Sequence, residues 1–370
     1  MTLISILGDF HSSILPIMYE LKKEITKHVI VYDNAHDDIQ KLKNIQRGQE
    51  AYLKTLAKDS ELHFDISPMQ IDEDSYESII RCFDRILAME SDPGEIYLNT
   101  TDGLSSIAIV LSSKLLEVGG RIISYDRYDN TYNLHTKEEM SHHHIRHNMN
   151  IQSHLLLKGY EIVKTSNQQE IESRKDIVMK LTENLPAYKR FANQFQNTKS
   201  SDEVFGNDEY KRLLKSIDEL ENTYYIQGTV FEEYIYHLIV DQFDFDDVWT
   251  NTTVQFTEFV ENEFDILMMK DNHLHTIECK FKKNLNGKPM VYMMTQLMDY
   301  LDDDGKAMIL NIGGKNENSD TKNYDELKFD NADKHRARYG DIKIYLAKEF
   351  NKKKFLKDVK NWFCRNDDEK

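Results

Sequence analysis

The sequence predicts an α/β protein in which a parallel, doubly wound sheet is followed by a helical connector and a second α/β unit. Strand-like and helix-like segments alternate over the first 135 residues, strand patterns stop between about 138 and 225, and both patterns return near Gly228. The length of 370 residues agrees, because at about 150 residues per domain it predicts two or three units. We therefore expect domains at residues 1–140, 141–227 and 228–370.

The first predicted domain consists of strands and helices in alternation. The predicted strands are 2–7, 28–32, 62–66, 95–98 and 121–125, and the predicted helices are 13–27, 36–58, 73–90 and 103–118. Gly119 and Gly120 end the last of these helices, as glycine commonly does. Because parallel neighbours need a crossover connection, this alternation favours a doubly wound sheet with helices on both faces.

The rest of the chain changes from helices to a mixed α/β pattern. Helical patterns cover about 148–158, 170–183 and 207–225, after which a helix from Gly228 to Val240 opens the third domain. Strand patterns follow at 248–256, 263–269, 274–281, 307–312 and 341–346. This order predicts a mixed sheet in the third domain.

Composition excludes several classes of protein. The 47 basic and 64 acidic residues give a net charge of −17, which argues against a protein that coats nucleic acid by charge alone. We find no apolar run near the roughly 20 residues that cross a bilayer, and no secretory signal in Met1–Asp9, so we expect a cytoplasmic protein without a membrane partner. Cys82, Cys279 and Cys364 lie far apart, which argues against a disulfide framework.

Two loops of the first domain carry hydroxyl and small side chains where a doubly wound sheet binds its ligand. They follow strands one and four and lead into helix N-termini, where N–H groups favour phosphate. The candidate ligand-binding residues are Asp9, Phe10, His11, Ser12, Ser13, Asn99, Thr100, Thr101, Asp102, Gly103 and Ser105. For any one of them helix capping is the alternative, and the usual dinucleotide and P-loop motifs are missing.

A hairpin in the third domain brings acidic and basic side chains together. If Asp271 and Asn272 form a two-residue turn, Lys270 pairs with His273, and the same register places Asp265 opposite Glu278. Lys280 projects from the same face as Glu278, because side chains alternate along a strand. Paired carboxylates suit a hard divalent cation such as Mg²⁺ or Mn²⁺, and a neighbouring lysine suits a developing phosphate charge. The pattern therefore predicts phosphodiester hydrolysis, with an ordinary solvent-facing hairpin as the alternative.

Both candidate sites resemble motifs of CARF-domain nucleases, the cyclic-oligoadenylate-activated effectors of type III CRISPR defence. Asn99, Thr101 and Gly103 agree with the fourth-strand motif Asn-x-Thr-Gly-Gly-Thr-Lys, whereas Asp102, Leu104 and Ser105 depart from it. The stretches Gly228 to Glu232, Asn262-Glu263-Phe264-Asp265 and Glu278-Cys279-Lys280 resemble those of CARF-linked PD-(D/E)xK nucleases. The resemblance implies a Rossmann-like CARF domain at the N-terminus and a restriction-endonuclease-like PD-(D/E)xK domain at the C-terminus.

The resemblance also implies roles for single residues. Asp265 and Glu278 would be metal ligands, Lys280 would position water or stabilise charge, and Glu232 would be a further acid near the metal. Glu233 is the rival to Glu232, because one helical step turns the side chain by about 100° and only one of the two can face the hairpin. The implied activator is a cyclic oligoadenylate, most simply cyclic tetra-adenylate, bound across the two-fold axis of a homodimer.

Basic side chains could contact the substrate, and two other functions compete with that of an activated nuclease. The candidates for contact with an RNA or DNA backbone near the hairpin are Lys280, Lys282, Lys283 and Lys288. Arg336 and Arg338, before the last predicted strand, are further candidates, with surface pairing to Asp333 or Asp341 as the alternative. One competing function is a restriction or repair nuclease with an unrelated N-terminal ligand. The other is a ligand-sensing regulator whose hairpin carboxylates are purely structural.

Overall fold

The computed structural model describes residues 1–8, 14–33, 36–55, 64–103, 105–198, 228–281, 287–302, 304–312, 331–346 and 350–364. It divides into two compact units, and the predicted α/β fold class is confirmed. The first unit comprises Met1–Ile162 with Gln255–Phe259, and the second comprises Val163–Val254 with Val260–Lys370. In the part of the chain so described, no helix is both long and apolar enough to cross a membrane.

The first unit is built on a seven-stranded sheet in the order β3-β2-β1-β4-β5-β6-β7. Its strands are β1 (Thr2–Ile6), β2 (Lys27–Asp33), β3 (Asp65–Ile71), β4 (Ile96–Asn99), β5 (Arg121–Asp126), β6 (Thr131–His135) and β7 (Met140–His144). Its helices are α1 (Leu15–Glu20), α2 (His36–Thr55), α3 (Tyr76–Leu87), α4 (Ser105–Glu117) and α5 (Ile151–Leu157). The strand order reverses between β1 and β4, which are parallel neighbours, so the ligand position expected for a doubly wound sheet lies beyond their carboxyl ends.

Helices cover both faces of this sheet. Leu15, Met18 and Ile45 from α1 and α2 pack in one buried cluster with β1 residues Leu3 and Leu7. A second cluster holds the opposite β1 residues Ile4 and Ile6 against α3 and α4. Because the side chains of β1 are buried on both sides, the strand reads as a continuous apolar run rather than an alternating one.

Two parts of the sheet differ from the sequence prediction. The third strand lies at 65–71 rather than 62–66 and contains Pro68, which is tolerated because β3 is an edge strand. The expected parallel sheet also gains an antiparallel hairpin, β6 and β7, at the opposite edge. Both strands carry polar side chains with little apolar periodicity, which is why a pattern of burial does not reveal them.

The second unit has a mixed six-stranded sheet in the order β13-β12-β11-β10-β9-β8. Its strands are β8 (Glu161–Lys164), β9 (Asp247–Thr257), β10 (Val260–Lys270), β11 (His273–Lys280), β12 (Ala307–Asn311) and β13 (Ile342–Leu346). Its helices are α6 (Gln168–Thr182), α7 (Leu185–Thr198), α8 (Val230–Gln242), α9 (Gly287–Leu301), α10 (Asn331–Tyr339) and α11 (Lys352–Phe363). The first strand, β8, falls in the segment for which the sequence predicts helices alone.

Helices α6, α7 and α8 pack in the core of the second unit. Val178, Tyr188 and Ile235 share one buried cluster with Ile266 and Ile277 of the sheet. Of the residues from 141 to 198, those up to 162 belong to the first unit and those from 163 to the second. The predicted helix at 207–225 lies outside the described residues.

Candidate nuclease and ligand-binding sites

The predicted hairpin register is confirmed. Strands β10 and β11 are antiparallel, with Lys270 opposite His273 and Ile266 opposite Ile277. The next pair in this register is Asp265 and Glu278. Asp271 and Asn272 form the turn with φ of 52° and 65°, the left-handed region that a two-residue hairpin loop of this kind requires at both central positions.

The acidic pair lies inside the protein, not on a solvent-facing strand. Asp265 and Glu278 are 7% and 5% exposed, which removes the alternative of an ordinary surface hairpin. On the other face of the hairpin, Ile266, Ile277 and Cys279 lie in the main core of the unit. A buried pair of carboxylates is costly unless hydrogen bonds or cations compensate it.

Lys280 and the β11 backbone provide this compensation. Oδ2 of Asp265 accepts hydrogen bonds from the Cys279 N–H at 2.6 Å and from the Lys280 ammonium at 3.2 Å. The same ammonium forms an ion pair with Oε1 of Glu278. Lys280 therefore joins both carboxylates, as expected for three side chains on one face of neighbouring strands.

Helix α8 adds a third carboxylate and separates Glu232 from Glu233. Glu232 interacts electrostatically with Asp265, Lys280, Glu263 and Glu278, and its carboxylate lies close to Gly228. Glu233 is fully buried elsewhere, in an ion pair with Arg174 of α6. The structure thus brings Glu232 into the group that also contains Asp265, Glu278 and Lys280, which we call the acidic cluster.

Burial and mutual charge shift the pKa values in the acidic cluster. Burial, followed by the charge of Asp265, raises the pKa of Glu232 to about 9, and the same two causes raise that of Glu278 to about 7, against smaller opposing effects of Lys280. Burial also raises the pKa of Asp265, although Lys280 and the Cys279 N–H oppose it. For Lys280 burial lowers the pKa, but the charges of Asp265 and Glu278 outweigh this and the net shift is upward.

Positive side chains outside the acidic cluster gather around one exposed aromatic ring. Tyr292 of α9 is 49% exposed, with Nζ of Lys288 5.9 Å and the guanidinium carbon of Arg336 5.7 Å from its ring centroid. Lys288 and Arg336 are two of the predicted substrate contacts, whereas Lys282 and Lys283 lie outside the described residues. Sequence analysis missed Tyr292, because only the packing of α10 against α9 shows that Arg336 lies beside its ring.

A second group of possible metal ligands lies at the other end of the hairpin. Ligand atoms of His273, Asp302 and Asp304 are within 4.8 Å of one another. Asp302 already accepts hydrogen bonds from the N–H groups of Leu274 at 2.9 Å and Asp304 at 3.0 Å. These bonds hold the Asp302 carboxylate against the backbone on both sides of it.

In the first unit, the loops after β1 and β4 meet as expected. A Cβ atom on Gly8 would lie 2.5 Å from both Oδ1 of Asp102 and the backbone nitrogen of Gly103, so only glycine fits there. Gly103 itself has φ +108°, which also favours glycine. Of the other predicted ligand-binding residues, Asp9, Phe10, His11, Ser12 and Ser13 lie outside the described residues, as does the side chain of Ser105.

Asn99 and Thr101 shape the second of these loops. Oδ1 of buried Asn99 accepts hydrogen bonds from the backbone nitrogen and Oγ1 of Thr101 at 3.0 and 2.5 Å. The Tyr125 N–H of β5 donates to Oγ1 of Thr101 at 2.9 Å, and Oγ1 of Thr100 donates to the Ile123 carbonyl at 3.2 Å. In this structure the three side chains thus hold the loop in place beside β5.

One family model matches the part of the chain that contains the acidic cluster. Residues 218–319 match the family described as Card1-like, endonuclease domain. This match confirms the resemblance to CARF-linked nucleases at the part of the chain that contains the acidic cluster. The matched residues include Glu232, Asp265, Glu278 and Lys280. No curated protein matches the chain.

Two solved structures share the fold over nearly the whole chain. Can2 from Sulfobacillus thermosulfidooxidans, solved in complex with cyclic tetra-adenylate, is 17% identical, with a TM-score of 0.68 and coverage of 98% of both chains. Protein VC1899 from Vibrio cholerae is 17% identical, with a TM-score of 0.70 and coverage of 98% of this chain and 97% of its own. Both proteins therefore share the fold of this chain over nearly its whole length.

Proposed function

We propose that the protein is a metal-dependent endonuclease, activated by a cyclic oligoadenylate, that hydrolyses phosphodiester bonds of single-stranded RNA, DNA or both in antiviral defence. The observation that carries the proposal is the contact of the Lys280 ammonium with Asp265 and Glu278 inside the matched endonuclease domain. Together with Glu232, this arrangement supports a PD-(D/E)xK type of nuclease site. The proposed domain order is a CARF-like sensor at 1–140, a connector at 141–227 and the nuclease at 228–370.

The acidic cluster fits a hard divalent cation. Its donors are carboxylate oxygens, the ligands that Mg²⁺ and Mn²⁺ prefer, and Asp265 and Glu278 lie on facing strands. Burial raises the pKa of all three carboxyl groups, so without a cation they tend to hold protons, which a bound divalent ion would replace. Asp265 and Glu278 would hold the ion, which when bound supplies Lewis-acid polarisation of the scissile phosphate and a more acidic water.

The protein's own groups stabilise developing charge and release a proton when a cation binds. Lys280 stays protonated at neutral pH, so its ammonium can stabilise charge that develops on phosphate oxygens. In the metal-free chain burial raises the pKa of Glu278 to about 7, so a cation held by this carboxylate would displace a proton at physiological pH. Burial of the cluster strengthens these electrostatic effects, because less water screens them.

The substrate would contact the surface formed by Lys288, Tyr292 and Arg336. Two cations beside an exposed ring suit a single strand, whose phosphates pair with the cations and whose unstacked bases can lie on the ring. The net charge of −17 makes such a local patch necessary, since the whole chain repels nucleic acid.

The activator would bind at the loops after β1 and β4. Their meeting at Gly8, Asp102 and Gly103 supports this position, and the complex of Can2 with cyclic tetra-adenylate supports the choice of ligand. A ring of repeated nucleotides suits a homodimer with a two-fold axis. Activation requires the ring to bind the active arrangement more tightly than the resting one.

A cleavage assay tests the proposal. Pure protein with Mn²⁺ or Mg²⁺ is incubated with labelled single-stranded RNA, single-stranded DNA and supercoiled plasmid, with and without cyclic tetra-adenylate and hexa-adenylate. Cleavage that requires one of the two cyclic oligoadenylates and disappears in Glu278→Ala supports both the sensor and the nuclease. Cleavage without any ring would leave a restriction or repair type of nuclease, and no cleavage at all would favour a ligand-sensing regulator.

A further inference from the structure

Helix α8 carries two adjacent glutamates whose side chains interact with different parts of the second unit. Glu232 faces the acidic cluster, whereas Glu233 is fully buried against α6. Successive residues of a helix point about 100° apart, so a rotation that loosens one contact also turns the other away. Whatever fixes Glu233 therefore also fixes the direction of Glu232.

Arg174 of α6 holds Glu233 at two guanidinium nitrogens. Its Nε lies 3.2 Å from Oε1 and 3.3 Å from Oε2, and its Nη2 lies 2.6 Å from Oε1. The two side chains are 17% and 0% exposed. A forked, buried contact of this kind restricts orientation far more than a surface ion pair does.

The contact belongs to a polar stripe between the two helices. Glu233, His237 and Asp241 follow at intervals of four along α8 and so lie on one face. Nδ1 of His237 lies 3.8 Å from Oε2 of Glu172, and Nζ of Lys175 lies 2.6 Å from Oδ1 of Asp241. Of these contacts the pair of Arg174 and Glu233 is the most buried, and a buried polar contact can fix how one helix is turned against another rather than add stability.

We propose that Arg174 is a positioning residue for the nuclease reaction: by holding Glu233, it directs Glu232 toward Asp265 and Lys280. The inference rests on the proposed function, because Glu232 matters only if the acidic cluster binds a metal and cleaves. It assigns part of the predicted connector a role in assembling the site, although Arg174 itself touches neither metal nor substrate.

A double-mutant cycle tests the role. Mn²⁺ binding is measured by calorimetry on the full chain without substrate or activator, for wild type, Arg174→Gln, Glu232→Gln and the double variant. We expect Arg174→Gln to weaken Mn²⁺ binding about tenfold, because the Glu232 carboxylate turns away from the ion, but to have less than about a twofold effect when Glu232 is already Gln. Equal losses in both backgrounds would overturn the proposal, because a general loss of structure acts without Glu232.

A second variant covers the case in which Arg174→Gln does not fold, since it leaves a buried charge without its cation. Arg174→Lys keeps the charge but removes the fork, and we expect it to fold and to weaken Mn²⁺ binding about threefold or more. Lys175→Met, which breaks the neighbouring contact with Asp241, is the matched control and should bind Mn²⁺ as wild type does. If Arg174→Lys bound Mn²⁺ as tightly as wild type does, the two-nitrogen contact of the guanidinium would not position Glu232, and the proposal would be overturned.

The outcome is separable from failure of the proposed function. If wild type binds Mn²⁺ but never cleaves, the function fails while the binding cycle still reports on Arg174. If wild type binds no Mn²⁺, a crystal structure of Arg174→Lys decides: Glu232 turned away from Asp265 supports the positioning role, and Glu232 unmoved overturns it.

Discussion

The Lys280 ammonium lies 3.2 Å from Oδ2 of Asp265, on the same strand face as Glu278, so the acidic cluster carries its own tethered cation. A divalent ion that binds there must share these carboxylates with the ammonium. Lys280 thus has two opposite effects, since it stabilises the metal-free protein and competes for the metal ligands. Substitutions can separate the two.

Replacing Lys280 by methionine should abolish cleavage without abolishing metal binding. We expect Lys280→Met to lower the cleavage rate about 100-fold or more, because a donor aimed at developing charge contributes about that much. Calorimetry should show Mn²⁺ bound as tightly as by wild type or more tightly. Lys270→Met, at the turn end of β10, is the control. Loss of both cleavage and Mn²⁺ binding would show that Lys280 has only a structural role.

Neutralising either proposed metal ligand should remove both activities together. Asp265→Asn and Glu278→Gln keep the size of the side chain but lose its charge, so each should abolish cleavage and weaken Mn²⁺ binding at least about tenfold. The control is Glu261→Gln, which changes an exposed carboxylate of the same strand. Normal Mn²⁺ binding by both cluster variants would place the metal elsewhere, with His273, Asp302 and Asp304 as the next position to test.

The metal-free protein should lose stability as the pH rises. Unfolding returns Glu278 and Glu232 to pKa values near 4.5, below about 7 and about 9 in the folded chain, so the folded state binds more protons. Their contribution is fully present below pH 4.5 and is lost as the pH rises through about 7 and about 9. Thermal melts in EDTA should show a fall in Tm from pH 6 to 9 that is smaller in Glu232→Gln. A fall of equal size in that variant would contradict the shift at Glu232.

Filling the contact between the two sensor loops should weaken activator binding. Gly8→Ala places a Cβ 2.5 Å from Oδ1 of Asp102 and from the Gly103 nitrogen, so the loop after β4 must move. We expect at least about a tenfold rise in the Kd for cyclic tetra-adenylate with Mn²⁺ binding unchanged. Gly94→Ala is the control, since its Cβ would approach only the Asp92 side chain. An unchanged Kd for cyclic tetra-adenylate in Gly8→Ala would show that the activator does not bind at these loops.

Removing the exposed ring of α9 should weaken substrate binding. Tyr292→Ala is expected to raise the Kd for a single-stranded oligonucleotide about tenfold or more, because stacking of one base on an aromatic side chain contributes about 1–3 kcal/mol. Tyr300→Ala, which changes another exposed tyrosine of the same helix, tests whether any lost ring has this effect. Fluorescence anisotropy in EDTA measures binding without cleavage. Equal effects of both variants would exclude a specific platform at Tyr292.

The hairpin shows how much of the site local sequence can predict. Residues 263–280 contain a two-residue turn between strands, and the turn fixes the register that brings Asp265 to Glu278. The orientation of α8 could not be read in the same way, because its first turn offers both Glu232 and Glu233. Arg174 settles that choice from a position 59 residues away, and neither its spacing nor its surroundings in sequence mark it.

In the two sheets as well, some strands are predicted from local sequence and others are not. Strands β1, β2, β4 and β5 of the doubly wound core contain apolar runs and lie close to their predicted positions, whereas β3 is shifted from 62–66 to 65–71 and the edge hairpin β6–β7 is missed. Pro68 lies within edge strand β3, where one side of the backbone has no neighbouring strand to bond. Patterns of burial therefore predict the centre of each sheet better than its edges.

The placement of Cys279 has a practical consequence for labelling. Its backbone N–H donates to Asp265 of the acidic cluster, but its side chain lies on the core face and is 4% exposed. Burial keeps the pKa of its thiol well above the ordinary value. Cys82 is likewise buried, whereas Cys364 is partly exposed. Burial also raises the pKa of the Cys364 thiol, so mildly alkaline pH favours its reaction. Maleimide dyes should then attach at Cys364 and leave the acidic cluster untouched, which gives the native sequence one fluorescent label at the end of α11.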